Sequence, residues 1–202
     1  MEPATIKKHT FSGPPHIVIL AYDGVDELDL FGLYSILAKA QDSIASLQMM
    51  ALKEVVTSSG GVQFAAQLLS SDITGFEILV VPGGKGASAV AHSSELASTI
   101  RSARDRGVWI CCCCSGALIV AAALRLSHGR LAIHQGKRNA LRAIFDGEIA
   151  AELVDCDGIA SIGGTTSPLV KSVNLGFYIL SQLNPTLPSE VSQRTEIEWR
   201  RR

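Results

Sequence analysis

The chain has 202 residues, which is enough for one domain of ordinary size and too few for two large ones. Hydrophobic residues make up 47% of the sequence and charged residues 18%, so the chain can bury a large core and differs from disordered sequences. Lys and Arg total 18 against 19 for Asp and Glu, and this net charge of −1 excludes the strongly basic surface of a typical nucleic-acid-binding protein.

The pattern along the chain predicts three segments. Residues 1–15 form a flexible N-terminal arm ended by Pro14–Pro15, residues 16–183 form one α/β domain, and residues 184–202 form a polar C-terminal extension on the surface. Apolar runs of strand length are found at residues 17–21, 47–52, 78–81, 108–113, 130–133 and 159–162. Helical periodicity occupies residues 26–40, 94–106, 116–126, 137–145 and 170–183, with a hairpin over 54–67. This alternation predicts a mostly parallel sheet with crossover helices.

The sequence contains no feature of a secreted or membrane protein. Residues 1–15 lack the apolar region of a signal peptide, and the longest apolar run, residues 117–124, is less than half the ~20 residues that a membrane-spanning helix needs. Four of the five cysteines are consecutive, which is not a disulfide framework. We therefore expect a cytoplasmic protein with neither a membrane nor a nucleic acid as its partner.

The most informative stretch is Val-Trp-Ile-Cys-Cys-Cys-Cys-Ser-Gly-Ala-Leu at residues 108–118. An apolar strand passes through Cys114-Ser115-Gly116 directly into an Ala-rich helix, which is the pattern of a nucleophile elbow. The positive end of that helix favours the thiolate form of Cys114. We expect Cys114 to be the nucleophile, with the N–H groups of Ser115 and Gly84 available to bind a developing negative charge.

The other cysteines have simpler interpretations. Cys111, Cys112 and Cys113 are expected to be small hydrophobic residues of a buried strand. Consecutive residues of a strand point to alternate faces, so four sulfurs cannot converge on one zinc ion, and no metal site is predicted. A redox pair of Cys111 with Cys114 has the right spacing, but such pairs normally lie at the start of a helix.

Four features of the chain resemble the ThiJ/PfpI superfamily from His16 onward. They are the strand end Val80-Val81-Pro82-Gly83-Gly84, the Cys114-Ser115-Gly116 elbow, a histidine twenty positions after that cysteine, His134, and the turn Gly163-Gly164-Thr165-Thr166. The resemblance implies a class I glutamine-amidotransferase-like fold, which is a flavodoxin-like three-layer sandwich. It also implies that His134 belongs to the catalytic site and that the oxyanion and substrate are bound by Gly83, Gly84, Ser115, Gly116 and Thr165.

The acid that follows the first strand points to one branch of this superfamily. The sequence Asp29-Leu30-Phe31-Gly32 is similar to that of isonitrile hydratases and of the related sensor domains in AraC-type regulators. Asp29 is therefore the expected acid partner of Cys114, and Glu27 is a competing candidate. The chain departs from the hydratases at Ser115, where they carry Thr, and at Asn174, which stands roughly where they carry an acid.

The resemblance implies cysteine-dependent catalysis on a small electrophilic molecule, without a cofactor. In its most specific form, the Cys114 thiolate adds to the carbon of an isonitrile, and the adduct is hydrolysed to an N-substituted formamide. A glyoxalase or deglycase acting on α-oxoaldehydes with help from His134 is an alternative, as is a non-catalytic ligand or redox sensor. A sensor of the AraC type would also need a helix-turn-helix module, and we expect the residues after Leu183 to be too few to form one. The superfamily also implies a homodimer.

Overall fold

The computed structural model of the protein describes residues 9–199. Its strands are β1 (His16–Leu20), β2 (Ser46–Ala51), β3 (Val55–Thr57), β4 (Gln63–Ala65), β5 (Leu68–Leu69), β6 (Ile78–Val81), β7 (Trp109–Cys113), β8 (Arg130–Ala132), β9 (Glu148–Ala150), β10 (Val154–Cys156) and β11 (Ile159–Ile162). Its α-helices are α1 (Glu27–Ala38), α2 (Ala87–Val90), α3 (Ser94–Asp105), α4 (Gly116–Leu124), α5 (Arg138–Arg142), α6 (Pro168–Leu183) and α7 (Leu187–Thr195).

Seven strands form the central sheet in the order β10-β11-β7-β6-β1-β2-β5. All neighbouring strands run parallel except β10 and β11 at one edge, which are antiparallel. The helices flank this sheet, with α1 packed on α6 and α3 packed on α4. The predicted α/β fold with a mostly parallel sheet is confirmed. Because parallel strands share one carboxyl edge, the ends of β6, β7 and β11 meet in one place.

The centre of the sheet is buried and almost entirely apolar, with Ser161 as its polar residue. Every residue of β6, β7 and β11 is buried, as expected for parallel strands covered on both faces. Cys111, Cys112 and Cys113 have no exposed surface, and burial raises the pKa of each thiol. These three side chains therefore act as core residues, in agreement with the sequence analysis.

The segment between α4 and β11 differs most from the sequence prediction. The helix expected over residues 137–145 is the shorter α5, preceded by a 3₁₀ turn at Gln135–Lys137. Two short strands, β9 and β10, had no counterpart in the sequence analysis. Each has three residues and carries an acidic side chain, so neither shows the apolar run by which the main strands of the sheet, such as β1, β6 and β7, were found.

The described part of the predicted flexible arm packs against the amino end of β7. The ring of His9 stacks on Trp109 with 4.0 Å between centroids. Asp155 Oδ2 lies 3.0 Å from His9 Nε2 and accepts a hydrogen bond of 2.9 Å from the Tyr178 hydroxyl. Residues 1–8 of the arm and 200–202 of the extension lie outside the described residues. Within the described chain, no helix is long and apolar enough to span a bilayer.

Candidate active site

Cys114 lies at the sharp turn between β7 and α4. Its φ angle is 57°, a left-handed conformation that costs energy for a residue with a side chain. The backbone is held on both sides, since Cys114 N donates to Ile162 O over 3.0 Å and Cys114 O accepts from His134 N over 3.0 Å. This is the geometry of a nucleophile elbow, and it directs the thiol toward the carboxyl edge of the sheet.

Two glycines make room for this turn. A Cβ atom on Gly116 would lie 2.1 Å from Val81 O, so only glycine fits where the elbow crosses the end of β6. A Cβ atom on Gly83 would lie 2.7 Å from both the Cys114 Cβ and Asp29 Oδ2. Gly83 therefore lies directly between the nucleophile and the acid, and any side chain there would occupy the site itself.

Asp29 comes from the first turn of α1 and has no exposed surface. Its Oδ2 accepts a hydrogen bond of 3.2 Å from Gly83 N, whereas its buried Oδ1 has no partner among the described residues. Burial raises the pKa of Asp29 to about 7, and the nearby Asp26 carboxylate adds to this increase. Hydrogen bonding with Cys114, which lies on the other side of Gly83, acts in the opposite direction. Asp29 can therefore carry a proton at neutral pH.

The thiol of Cys114 does not have the lowered pKa that the helix dipole led us to expect. The residue is 7% exposed, and burial, followed by the charge of Asp29, raises the pKa of the thiol to about 12. Loss of solvation outweighs the charge of Lys171 and the hydrogen bond from Ser115 N, both of which lower the pKa of the thiol. Cys114 and Asp29 consequently form a unit that releases one proton near neutrality and holds the second strongly.

Lys171, in the first part of α6, also belongs to the site and was not predicted from the sequence. This side chain has no exposed surface, and its Nζ donates a hydrogen bond to Thr166 O. Its positive charge lowers the pKa of Asp29, Cys114 and His134. One sequence signal was available, because Lys171 precedes Leu175 and Tyr178 at helical spacing and so lies on the buried face of α6.

His134 lies beside the elbow, but no hydrogen bond joins its ring to the Cys114 sulfur in the described structure. Its Nδ1 accepts a hydrogen bond of 3.1 Å from Gly136 N, so the neutral ring carries its proton on Nε2. Burial, followed by the charges of Lys171 and Lys137, lowers the pKa of His134. The residue is therefore a neutral donor at pH 7.

Two of the backbone donors near the elbow are already engaged. Gly83 N donates to Asp29, and Gly84 N donates to Ser115 Oγ over 2.8 Å. The Ser115 hydroxyl in turn donates to Gly84 O over 3.1 Å, so it joins the elbow to the end of β6. Thr165, the remaining predicted binding residue, lies exposed on the turn before α6. In this state neither glycine amide is free to act as an oxyanion donor.

Glu27, the competing acid, points to another part of the protein. Its carboxylate accepts hydrogen bonds from the Ser58 hydroxyl and from Gly60 N, the latter over 2.7 Å. These bonds lower its pKa, led by the one from Ser58. Glu27 therefore fastens the β3–β4 turn to α1. Among residues 9–199, no group of three or more side chains is arranged to hold a metal ion.

The fold is similar to that of several known structures. Drosophila melanogaster DJ-1beta matches with a TM-score of 0.78 and 19% identity, covering 92% of this chain and 100% of that one. A ThiJ/PfpI family protein from Pseudomonas syringae matches with a TM-score of 0.77 and 22% identity, covering 100% of this chain and 82% of that one. Schizosaccharomyces pombe DJ-1 matches with a TM-score of 0.75 and 17% identity, covering 91% of this chain and 100% of that one.

At these identities, the structural matches establish the fold alone. No curated protein sequence matches the chain significantly. The profile of the DJ-1/PfpI family, however, matches residues 15–168, which is most of the domain and includes the acid on α1, the elbow cysteine and the histidine that follows β8. The resemblance to the ThiJ/PfpI superfamily is thereby confirmed, and the chain belongs to the DJ-1/PfpI family.

Proposed function

We propose that the protein is an enzyme in which Cys114 adds to the electrophilic carbon of a small neutral molecule, with an isonitrile as the substrate class. One observation carries this proposal: the completely buried carboxyl group of Asp29 lies next to the elbow cysteine across Gly83, and burial raises its pKa to about 7. Such a pair supplies a nucleophile and an acid in the same place.

The first step joins the sulfur to the substrate. The Asp29 carboxylate accepts the thiol proton, and the sulfur electron pair forms a bond to the terminal carbon of R–N≡C. Asp29 then returns the proton to that carbon, which gives the thioimidate Cys114–S–CH=N–R. The net change is addition of S–H to one carbon, and the charge of the site is the same before and after.

The second step releases the product. A water molecule attacks the thioimidate carbon, with one of its protons passing to nitrogen. The carbon–sulfur bond then breaks, the sulfur regains a proton through Asp29, and the product is the formamide R–NH–CHO. Overall, one water is added to one isonitrile, and no oxidant or reductant is required.

The engaged backbone amides favour this substrate class over carbonyl compounds. Addition of a thiol to an aldehyde or amide produces a negative oxygen, which enzymes stabilise with free N–H donors. Addition to an isonitrile develops negative charge on carbon, where a neighbouring acid neutralises it directly. Because the N–H groups of Gly83 and Gly84 already have acceptors, the site supports proton transfer better than oxyanion binding.

The test is turnover of cyclohexyl isonitrile, measured as N-cyclohexylformamide by mass spectrometry, with methylglyoxal assayed in parallel. We expect formamide from the wild type and from a Cys156→Ser control, because Cys156 lies at the edge strand β10. We expect none from Cys114→Ser. Turnover of methylglyoxal alone would overturn the proposal in favour of a glyoxalase, and turnover of neither compound would favour a sensor.

A further inference from the structure

A buried positive charge lies behind the Cys114–Asp29 pair. Lys171 has no exposed surface, and none of the ion pairs within residues 9–199 includes it. The hydrogen bond from its Nζ goes to a neutral acceptor, Thr166 O. A buried ammonium group without a counter-charge is costly, so the negative charge that compensates it must come from nearby groups.

The position of Lys171 in α6 adds to this cost. The helix begins at Pro168, with Ser167 as its N-cap, so the lysine lies in the positive end of the helix dipole. The helix dipole stabilises a lysine near the C-terminal end of a helix, so the dipole of α6 does not stabilise the Lys171 ammonium group here. Its burial at this position therefore requires a compensating interaction outside its own helix.

The packing of α6 on α1 brings Lys171 to the acid. Ser172 Oγ, on the next residue, donates a hydrogen bond of 2.8 Å to Leu28 O, and Leu28 directly precedes Asp29. A Cβ atom on Gly32 would lie 2.7 Å from the same Ser172 Oγ, so the two helices are in close contact. The turn that carries Thr166 also adjoins the elbow, because Gly164 pairs with His134.

The titratable groups around this place come from every element that meets there. They are Asp26 and Asp29 of the α1 region, Tyr22 after β1, Cys113 and Cys114 at the end of β7, His134 after β8, and Lys171 of α6. Tyr22 donates its hydroxyl to Pro82 O over 2.9 Å, and its pKa is raised well above the ordinary value by burial. Lys171 is thus the cation within this group of neutral and acidic side chains.

We propose that Lys171 is a positioning residue, which places a fixed positive charge beside the Cys114–Asp29 pair and thereby favours the singly ionised, reactive form of that pair. One proton lost by the pair and one held by Lys171 leave the buried site with no net charge. The inference rests on the proposed role of Cys114 as nucleophile, and it adds the residue that sets the pH at which this nucleophile works.

The test is the pH dependence of Cys114 alkylation by iodoacetamide between pH 6 and pH 9, followed by peptide mass spectrometry. In Lys171→Gln we expect the apparent pKa to rise by one unit or more, so that alkylation at pH 7 slows about tenfold. Lys171→Arg keeps the charge and is expected to retain most of the rate. Lys137→Gln is the matched control, because Lys137 lies on the 3₁₀ turn after His134 and its Nζ donates a hydrogen bond to the Ser88 hydroxyl, away from the Cys114–Asp29 pair.

A second pair of variants covers the case in which Lys171→Gln does not fold. Asp29→Asn/Lys171→Gln removes both charges and leaves a neutral interior, so its Cys114 profile can be compared with that of Asp29→Asn alone. The same upward displacement is expected there. Superimposable profiles with and without Lys171, in either background, would overturn the inference. Labelling of another cysteine before Cys114 would instead overturn the proposed function, so the two failures are distinguishable.

Discussion

Replacing Asp29 with asparagine should make the stability of the protein less dependent on pH. The pKa of this carboxyl is 3.8 in a model peptide and about 7 in the folded chain, because the group is buried. A raised pKa in the folded state means that folding favours the protonated acid. Its contribution to stability is therefore complete below pH 3.8 and is lost as the pH rises to 7.

The magnitude follows from that shift. Each pKa unit corresponds to about 1.4 kcal/mol, and from pH 5 to about pH 7 the folded carboxyl keeps a proton that the unfolded chain has already lost. Asp29 should therefore reduce the free energy of unfolding by about 2.5 kcal/mol over that interval, whereas asparagine should not. The free energy of unfolding falls by about 2 kcal/mol per molar urea in a protein of this size. The difference between the urea midpoints of Asp29→Asn and wild type should therefore increase by about 1 M from pH 5 to pH 8, in favour of Asp29→Asn.

Urea unfolding followed by circular dichroism at pH 5 and pH 8 measures this difference directly. Asp72→Asn is the control, because Asp72 is exposed and a hydrogen bond from Thr74 lowers its pKa, so it stays ionised across the interval. Parallel pH dependences for wild type and Asp29→Asn would refute the protonated state assigned to Asp29. In the same variant, loss of the acid should slow isonitrile turnover by a factor of about 10² to 10⁴.

Three further predictions concern other parts of the chain. Cys114 should react with iodoacetamide before the other four cysteines. The rate should increase above pH 7, because the Cys114–Asp29 pair then loses its first proton. Peptide mapping that finds another cysteine labelled first would contradict this prediction. Gly83→Ala should destabilise the fold by roughly 1–3 kcal/mol and abolish Cys114 alkylation, because the new Cβ would lie 2.6 Å from Ser115 N. Gly13→Ala is the control: its Cβ would meet no atom within 4 Å, so this variant should unfold thermally like the wild type. The protein should be a homodimer with twice the 21.4 kDa mass of the chain, and light scattering that gives a monomer at all concentrations would exclude it.

The parts of the structure that the sequence predicts are those with a local signal. The apolar runs of β6, β7 and β11 end in glycine or cysteine motifs, so both the sheet and its functional edge could be located. Cys114 is found for the same reason, because a strand, a small turn and a helix follow one another within eleven residues, 108–118. Asp29 required the family resemblance, since an acid in the first turn of a helix is common on its own.

What the sequence does not show depends on contacts between distant segments. The pKa of Cys114 could not be inferred from its place before α4, because the burial that dominates it is created by other elements. The hydrogen bond from Gly84 N to Ser115 Oγ joins two residues that are 31 positions apart, one after β6 and one after β7. Lys171 becomes part of the site only when α6 packs on α1, and a lysine near a helix start is ordinarily read as a surface residue.

The contact between α1 and α6 also determines when the site can form during synthesis. The hydrogen bond from Ser172 to Leu28 joins residues that are 144 positions apart, so the acid leaves the ribosome long before the helix that covers it. Until α6 has emerged, a nascent chain can hold the cysteine and the carboxyl but cannot enclose them. A polypeptide released before α6 would therefore leave an apolar face of α1 uncovered, which makes it a target for chaperones and proteases, and would carry a thiol with ordinary solution reactivity.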